Sequence, residues 1–422
     1  MTALLLRATW ILPIILACVS SCKANLDVVY EWKYIDYVWE NDSQKAEAVA
    51  TGKYDYTKII TNDIQPLSDG RILVTTPKFY DNPATLSTIS MQTGDGGPLL
   101  EPYPNWSWHQ SEDCSGIISV HRVFLDDCNK LWLVDSGKIG NEQVCPAKIL
   151  AFDPETDKLI KEFQIPSNLS HSPYDETKGR LGIQVVETVY ISDLDGYGIL
   201  IWDGSDIWRL DDEIFHPTSE GEAFSIDGES FTLRGGPEGL LLTPPGFLPE
   251  TYLILKPLSS YKTFAASTKD LHNSKLGLGV TYYMTNFTAP SQEPAKVFSK
   301  NGGILFANFA TKLQLGCWNI RNPLEYDHVV SISTVLEVNA TTFQYASSFK
   351  ISAGLKEEAE TLWATTNRLQ KFILGTMNFS EVNFRILTAD VATFVEETVC
   401  KPQNYTIANS IEDKDFFYLK TT

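Results

Sequence analysis

Histidine, cysteine and serine carry most enzymatic proton and acyl transfers, and they do so in small clusters. The six histidines of this chain stand at positions 109, 121, 171, 216, 272 and 328, with no H-x-H or H-E-x-x-H spacing. No G-x-S-x-G nucleophile elbow occurs, and GGPEG at Gly235 lacks the lysine and the Ser/Thr of a phosphate loop. The sequence therefore predicts no catalytic constellation, no cofactor and no metal site.

Acidic side chains leave two alternatives open. The segments SDLDG at Ser192 and DGES at Asp227 could offer carboxylates to calcium, although Asp and Gly also favour turns for backbone reasons. Glu238 and Asp193 are acids that could serve as a general acid or base if the protein were an enzyme.

The N-terminus predicts export. Arg7 precedes the apolar run Ala8–Val19, and small or polar residues follow as far as Ala24. We interpret residues 1–24 as a signal peptide and residues 25–422 as a single domain. Seven Asn-x-Ser/Thr sequons support a secreted, extracellular glycoprotein: Asn41, Asn105, Asn168, Asn286, Asn339, Asn378 and Asn404.

The charge balance limits the partners. The chain has 34 Lys and Arg against 53 Asp and Glu, a formal charge of −19. Such acidity argues against nucleic acid and anionic membranes as partners. No run after the signal peptide reaches the roughly 18 apolar residues of a membrane helix, so no membrane anchor is predicted.

The strands that would position a site are predicted from a repeat in the sequence. Short apolar runs of strand composition begin at Ile72, Leu131, Val189, Tyr252, Ile304 and Leu362, at intervals of 52 to 63 residues. A second strand-like segment follows each run, beginning at Leu86, Ile149, Ile199, Tyr261, Leu315 and Leu369. Three or four antiparallel strands repeated six times predict an all-β, six-bladed β-propeller of mostly four-stranded blades. A pair of unrepeated β-sandwiches is the alternative.

The two ends of the chain are predicted to close the ring. Val28–Trp39 and Val382–Asp390 both have strand composition, and we expect them to flank or complete the blade that contains Leu362. In a closed ring, each sheet covers the apolar face of its neighbour.

Five cysteines remain after removal of the signal peptide, and the topology predicts how they pair. Cys114 and Cys145 fall at the same end of neighbouring strands, whereas Cys128 falls at the opposite end. We predict the disulfides Cys114–Cys145 and Cys317–Cys400, with Cys128 as a free thiol.

A propeller gathers its innermost strands around one channel, which is where a binding site is expected. Aromatic residues make up 12% of the chain. An acidic channel walled by aromatic rings would suit a small aromatic amine through stacking and cation–π contacts. Most of these aromatic side chains are nevertheless expected to pack between blades.

Several longer segments resemble the yellow/major royal jelly protein family of insects. They are GDGGPLLEPYPNWSW at Gly94, DCSGIISVHRVFLDDCNKLWLVDSG at Asp113, CPAKILAFD at Cys145, SIDGESFTL at Ser225, LGCWN at Leu315 and VNFRI at Val382. The resemblance extends from about Glu31 to Cys400 and implies a secreted six-bladed propeller. Family members commonly have a further cysteine just before the strand at Val189, and its absence here supports an unpaired Cys128.

The resemblance also implies candidate ligand residues. Amine-binding members have an Asn-x-aromatic motif in the last blades, and the matching segment TTNRLQKF offers Asn367, with Leu369 in place of the aromatic residue. Phe349, Ser352 and Asn308 are further candidates. We expect a small-molecule ligand, an aromatic amine or another compound, or else a nutritive or scaffold role. The alternative is a dopachrome-converting tautomerase of the melanin pathway, because some relatives resemble such enzymes.

Overall fold

The structure, a computed structural model, describes residues 26–110, 113–185, 188–320, 334–336, 339–354, 359–401 and 418–419. The predicted signal peptide, His328 and Asn404 lie outside the described residues.

Strands account for most of the regular structure. In chain order they are β1 (Asp27–Trp32), β2 (Ile64–Pro66), β3 (Ile72–Thr75), β4 (Leu86–Gly94), β5 (Gly97–Pro102), β6 (Val120–Leu125), β7 (Leu131–Asp135), β8 (Lys138–Ile139), β9 (Glu142–Gln143), β10 (Lys148–Asp153), β11 (Lys158–Gln164), β12 (Leu181–Val185), β13 (Val189–Asp193), β14 (Gly198–Trp202), β15 (Ile207–Asp211), β16 (Ala223–Ile226), β17 (Glu229–Thr232), β18 (Leu241–Leu242), β19 (Tyr252–Leu255), β20 (Lys262–Ser267), β21 (Tyr282–Thr288), β22 (Lys296–Phe298), β23 (Ile304–Phe309), β24 (Gln314–Asn319), β25 (Thr334–Leu336), β26 (Tyr345–Ala353), β27 (Glu360–Asn367), β28 (Phe384–Asp390) and β29 (Tyr418–Leu419). The α-helices are α1 (Asp42–Ala50), α2 (Thr268–Asn273), α3 (Leu369–Leu374) and α4 (Val391–Val395).

Six antiparallel sheets form the blades of a β-propeller, which confirms the predicted fold. Their strand orders, from the innermost strand outward, are β2-β3-β4-β5, β6-β7-β10-β11, β12-β13-β14-β15, β18-β19-β20-β21-β29, β22-β23-β24-β25 and β26-β27-β28-β1. We number these blades 1 to 6. The innermost strands of five neighbouring blade pairs contact each other, and the contact between β26 and β2 joins blade 6 to blade 1.

The six apolar runs of the sequence are the second strands of the six blades, β3, β7, β13, β19, β23 and β27. These strands are apolar on both faces because each face packs against a neighbouring blade. Leu133 packs into the cluster shared with blade 1, whereas the next residue, Val134, packs into the cluster shared with blade 3. Leu253 and Ile254 divide in the same way between blades 3 and 5.

The ring closes through blade 6, as predicted. β1, from the N-terminal end, pairs with β28 as the outermost strand, and β28 pairs with β27, which contains Leu362. One strand prediction in this blade is wrong, because the segment beginning at Leu369 is the helix α3. Its leucines, glutamine and lysine favour a helix, which ends at Gly375 in the left-handed conformation (φ 69°).

Both predicted disulfides are present. Cys114 bonds to Cys145 with a Cα–Cα distance of 5.5 Å, and Cys317 bonds to Cys400 at 6.0 Å. Cys128 is exposed and joins neither bond.

Candidate functional site

Buried charged residues occupy the channel at the level where the inner strands begin. Asp63 immediately precedes β2 and is fully buried, and Arg122 lies on β6. Lys296 is the first residue of β22, and Lys350 lies on β26. Glu238 and Glu293 lie in the segments that lead into β18 and β22.

Lys350 and Asp63 connect three blades. The ammonium of Lys350 in blade 6 lies 3.1 Å from Asp63 Oδ2 and donates to the carbonyl of Val123 in blade 2 at 2.6 Å. Asp63 also accepts the Val123 N–H at 2.8 Å and the hydroxyl of Ser348. Because the carboxylate bonds to three groups from two other blades, it fixes the ring closure.

Arg122 reaches across the channel to the opposite blades. Its Nη2 lies 2.9 Å from Glu238 Oε1 and donates to the carbonyl of Pro294 at 3.3 Å. The second carboxylate oxygen of Glu238 is buried and has no hydrogen-bond partner among the described residues.

A third ion-pair group links blades 4 and 5. Lys256 Nζ lies 3.0 Å from Glu293 Oε2, and Lys296 Nζ lies 3.7 Å from the same oxygen. Burial lowers the pKa of Lys256 to about 8 and also lowers the pKa of Lys296, although Glu293 favours the charged form of both. Lys296 Nζ is buried and donates no hydrogen bond to any described residue.

A small cavity of about 30 Å³ lies between these groups. Such a volume holds roughly two water molecules or one small oxyanion. Its lining comprises Arg122, Ile183, Ser192, Gly239, Leu240, Lys296, Ser348, Phe349 and Lys350. The cationic lining differs from the acidic, aromatic channel that the composition suggested, because the aromatic side chains pack between blades.

The β16–β17 hairpin lies on the upper face, which we define as the end of the propeller where the inner strands begin. Phe224 and Ile226 pack against Leu258, Ala310 and Tyr345, which belong to blades 4, 5 and 6. At the hairpin tip, Asp227 and Gly228 both have positive φ, as a two-residue turn requires. Gln344 donates to Asp227, and Lys371 of α3 pairs with Glu229 at 2.5 Å. The hairpin therefore covers part of the channel mouth.

The five predicted ligand residues are not brought together. Phe349 lines the cavity and also stacks on Phe343. Asn367 is buried above it and donates to the carbonyl of Thr61, while Asn308 donates to the carbonyl of Gln314 within blade 5. In both residues Oδ1 is without a partner in the described part of the chain. Two further candidates lie outside the cavity lining: Leu369 of α3 packs against the hydrophobic cluster that contains Phe224, and Ser352 accepts from Trp363 near the far end of β26.

The two acids proposed for proton transfer have different environments. Asp193 is fully buried and binds Arg209 and the backbone N–H groups of Arg180 and Gly196, so it supports a turn of blade 3. Glu238 lies in the channel.

Sequence reasoning missed the three basic residues of the cavity. Arg122, Lys296 and Lys350 stand in the short segments HRVF, AKVF and FKIS, where one Lys or Arg lies next to apolar residues of an innermost strand. A basic residue at such a position faces the channel or is buried, and this pattern could have predicted them.

Five of the seven sequon asparagines are exposed: Asn41, Asn105, Asn168, Asn339 and Asn378. The side chain of Asn286 lies outside the described set. Among the helices that the structure describes, none is long and apolar enough to cross a membrane.

Fold and site together define the class: a six-bladed β-propeller with a buried, cation-lined cavity in its channel. Comparison with known proteins identifies the family. The Major royal jelly protein family model matches residues 118–400. Major royal jelly protein 6 of Apis mellifera is 34% identical over 403 residues, which cover 91% of this chain and 90% of that protein. The chain belongs to the major royal jelly protein family.

More distant similarities extend this comparison. A dopaminechrome tautomerase of Drosophila melanogaster is 28% identical over 410 residues, covering 92% of this chain and 87% of that protein. A virginiamycin B lyase structure from Staphylococcus aureus matches with a TM-score of 0.41 and 11% identity, covering 74% and 79% of the two chains. That structural similarity is too low to support any argument about function.

Proposed function

We propose that the channel cavity binds the carboxylate, or another oxyanion group, of a small organic acid. The observation that carries this proposal is the buried ammonium of Lys296, which lies 3.7 Å from Glu293 Oε2 and has no acceptor within hydrogen-bond distance among the described residues. An unmet donor in a dry site costs free energy, and an anionic ligand would satisfy it.

Charge supports an anion rather than an amine. Arg122, Lys296 and Lys350 all line the cavity, whereas their carboxylate partners do not belong to its lining: Glu238, Glu293 and Asp63. A cationic ligand would contact the basic side of three ion pairs, so amine binding at this cavity is disfavoured. The volume of about 30 Å³ admits the oxyanion group and not an aromatic ring.

Calorimetry with matched ligands tests this function. Acetate and ethylammonium are similar in size, as are formate and methylammonium, and each pair differs in the sign of its charge. We expect heat of binding with the acids and at least tenfold weaker binding with the amines. Lys296→Met should weaken acid binding at least tenfold, whereas Lys300→Met, at an exposed ammonium, should not. Equal affinity for acids and amines would contradict the proposal.

A second candidate function is tautomerisation of an aminochrome. It is favoured by the free carboxylate oxygen of Glu238 beside Arg122, together with the similarity to the Drosophila tautomerase. Tautomerisation only relocates a proton, so one base that takes the proton up and returns it suffices, with no oxidant.

Absorbance decay of dopaminechrome measures this activity directly. We expect wild-type protein to accelerate the decay above the rate in buffer and Glu238→Gln to remove the acceleration. Wild-type decay at the rate in buffer would eliminate the enzymatic function. If acid binding were absent as well, a nutritive or scaffold role for a secreted glycoprotein would be favoured.

A further inference from the structure

An opening on the upper face is separate from the channel. It is a groove of about 560 Å³ between α1 and the loops of blades 1 and 2. This volume falls within the range of ligand-binding pockets. Its lining includes Asn41 and Glu47 from the α1 region, together with Asn82, Trp106 and His109 from the loops.

We propose that this groove holds the innermost sugars of an N-linked glycan attached to Asn41. Asn41 belongs to the sequon Asn41-Asp42-Ser43, is exposed, and is itself part of the groove lining. A tethered sugar is present at millimolar effective concentration, so weak contacts suffice to seat it.

The N-terminal cap of α1 is compatible with the attachment. Asn41 Oδ1 accepts the N–H of Gln44 at 3.0 Å, which anchors the side-chain amide. A glycan is attached through Nδ2, and the cap uses the other atom of the amide. Glycosylation would therefore leave the helix cap intact.

Two buried acceptors in the groove lack donors. Asn82 is 1% exposed and donates through Nδ2 to the carbonyl of Thr76, but its Oδ1 has no partner in the described chain. His109 bonds through Nε2 to the carbonyl of Tyr103, so Nε2 bears the hydrogen and Nδ1 is an unpartnered acceptor. Burial lowers the pKa of His109 to about 4, which keeps the ring neutral.

Asn82 Oδ1 and His109 Nδ1 would be satisfied by a ligand with uncharged hydrogen-bond donors. The hydroxyl and acetamide N–H groups of N-acetylglucosamine are such donors. Trp39 and Trp106, stacked with 5.3 Å between ring centroids, supply an aromatic wall for the apolar face of a sugar ring. The groove thus combines the two features that carbohydrate recognition needs.

Enzymatic release of glycans from the native, secreted protein tests the proposal. Peptide-N-glycosidase F should remove the Asn41 glycan at least tenfold more slowly than the Asn378 glycan, as followed by mass spectrometry of glycopeptides. Asn378 is the matched control because it is exposed and its sequon also ends in serine. Equal release rates, or an unoccupied Asn41, would overturn the proposal.

Backbone hydrogen exchange gives a second measurement. Ser43→Ala removes the sequon and keeps the Asn41 cap, and we expect faster exchange in α1 and a lower Tm than for wild type. Ser380→Ala, which removes the Asn378 sequon, should leave α1 exchange unchanged. If the two variants gave the same α1 exchange as wild type, the groove would not hold the glycan.

Discussion

Replacing Asp63 by asparagine should weaken the closure of the ring. The substitution keeps the size of the side chain but removes the charge that faces Lys350 at 3.1 Å, and it leaves one oxygen where two now accept. Lys350 would remain buried without its counter-charge. Removal of one partner from a buried ion pair costs about 3–5 kcal/mol.

The same cost can be expressed as a melting temperature. An unfolding entropy of about 2.1 cal/mol/K per residue gives about 0.8 kcal/mol/K for a domain of about 400 residues. Asp63→Asn should therefore lower Tm by about 4–6 °C. Asp127→Asn is the control, because its ion pair with Lys300 is exposed and should contribute less than about 1 kcal/mol.

Differential scanning calorimetry of the purified variants provides the measurement. A double variant, Asp63→Asn with Lys350→Met, should recover part of the loss, because the uncompensated ammonium is then gone. If Asp63→Asn melted within about 1 °C of the Asp127→Asn control, the closure would not depend on this carboxylate. If the double variant lost the sum of both single losses, the two residues would not be coupled.

Two further predictions concern stability. The pKa of Lys256 is near 8 in the folded protein and 10.5 in the unfolded chain. Between pH 8 and 10.5 the unfolded chain therefore binds more protons than the folded protein. The free energy of unfolding of the protein should then rise with pH across that window. Unfolding measured at pH 7.5, 9 and 10 should show this slope, and Lys256→Met should flatten it; an equal slope in the variant would be contradictory. Serine pairs replacing Cys317–Cys400 should cost about 4–5 kcal/mol in guanidinium titrations and those replacing Cys114–Cys145 about 3–4, because the loops span 83 and 31 residues. A larger cost for the shorter loop would refute this ordering.

In blade 6, most elements were predicted correctly from sequence patterns and one was not. Its second strand and the two terminal strands were predictable because strand composition and regular spacing reveal them. The prediction at Leu369 was wrong because a six-residue segment with four apolar residues suits a strand and a short helix equally well. The choice was made by chain geometry, because α3 lies on the upper face and packs against the β16–β17 hairpin.

The residues that line the cavity were not predicted from the sequence, with the exception of Phe349. Asn367 was chosen for its motif, yet its side chain mainly ties blade 6 to the loop before β2. Arg122 and Lys296 are 174 positions apart, and nothing local to either residue indicates that they meet. Their meeting depends on the diameter of the ring and on which face of each short inner strand points to the axis.

The amino-acid sequence by itself determined the six repeated strand groups, the closing of the ring by its two ends and the pairing of four cysteines. These features follow from local composition and from periodic spacing, and both can be read from the linear sequence without knowledge of the fold. Tertiary structure alone decided that the channel is cationic, that Asp63 joins three blades and that Trp39 faces a groove beside Asn41. Those facts depend on long-range packing, because buried charges and open grooves exist only once distant segments lie side by side.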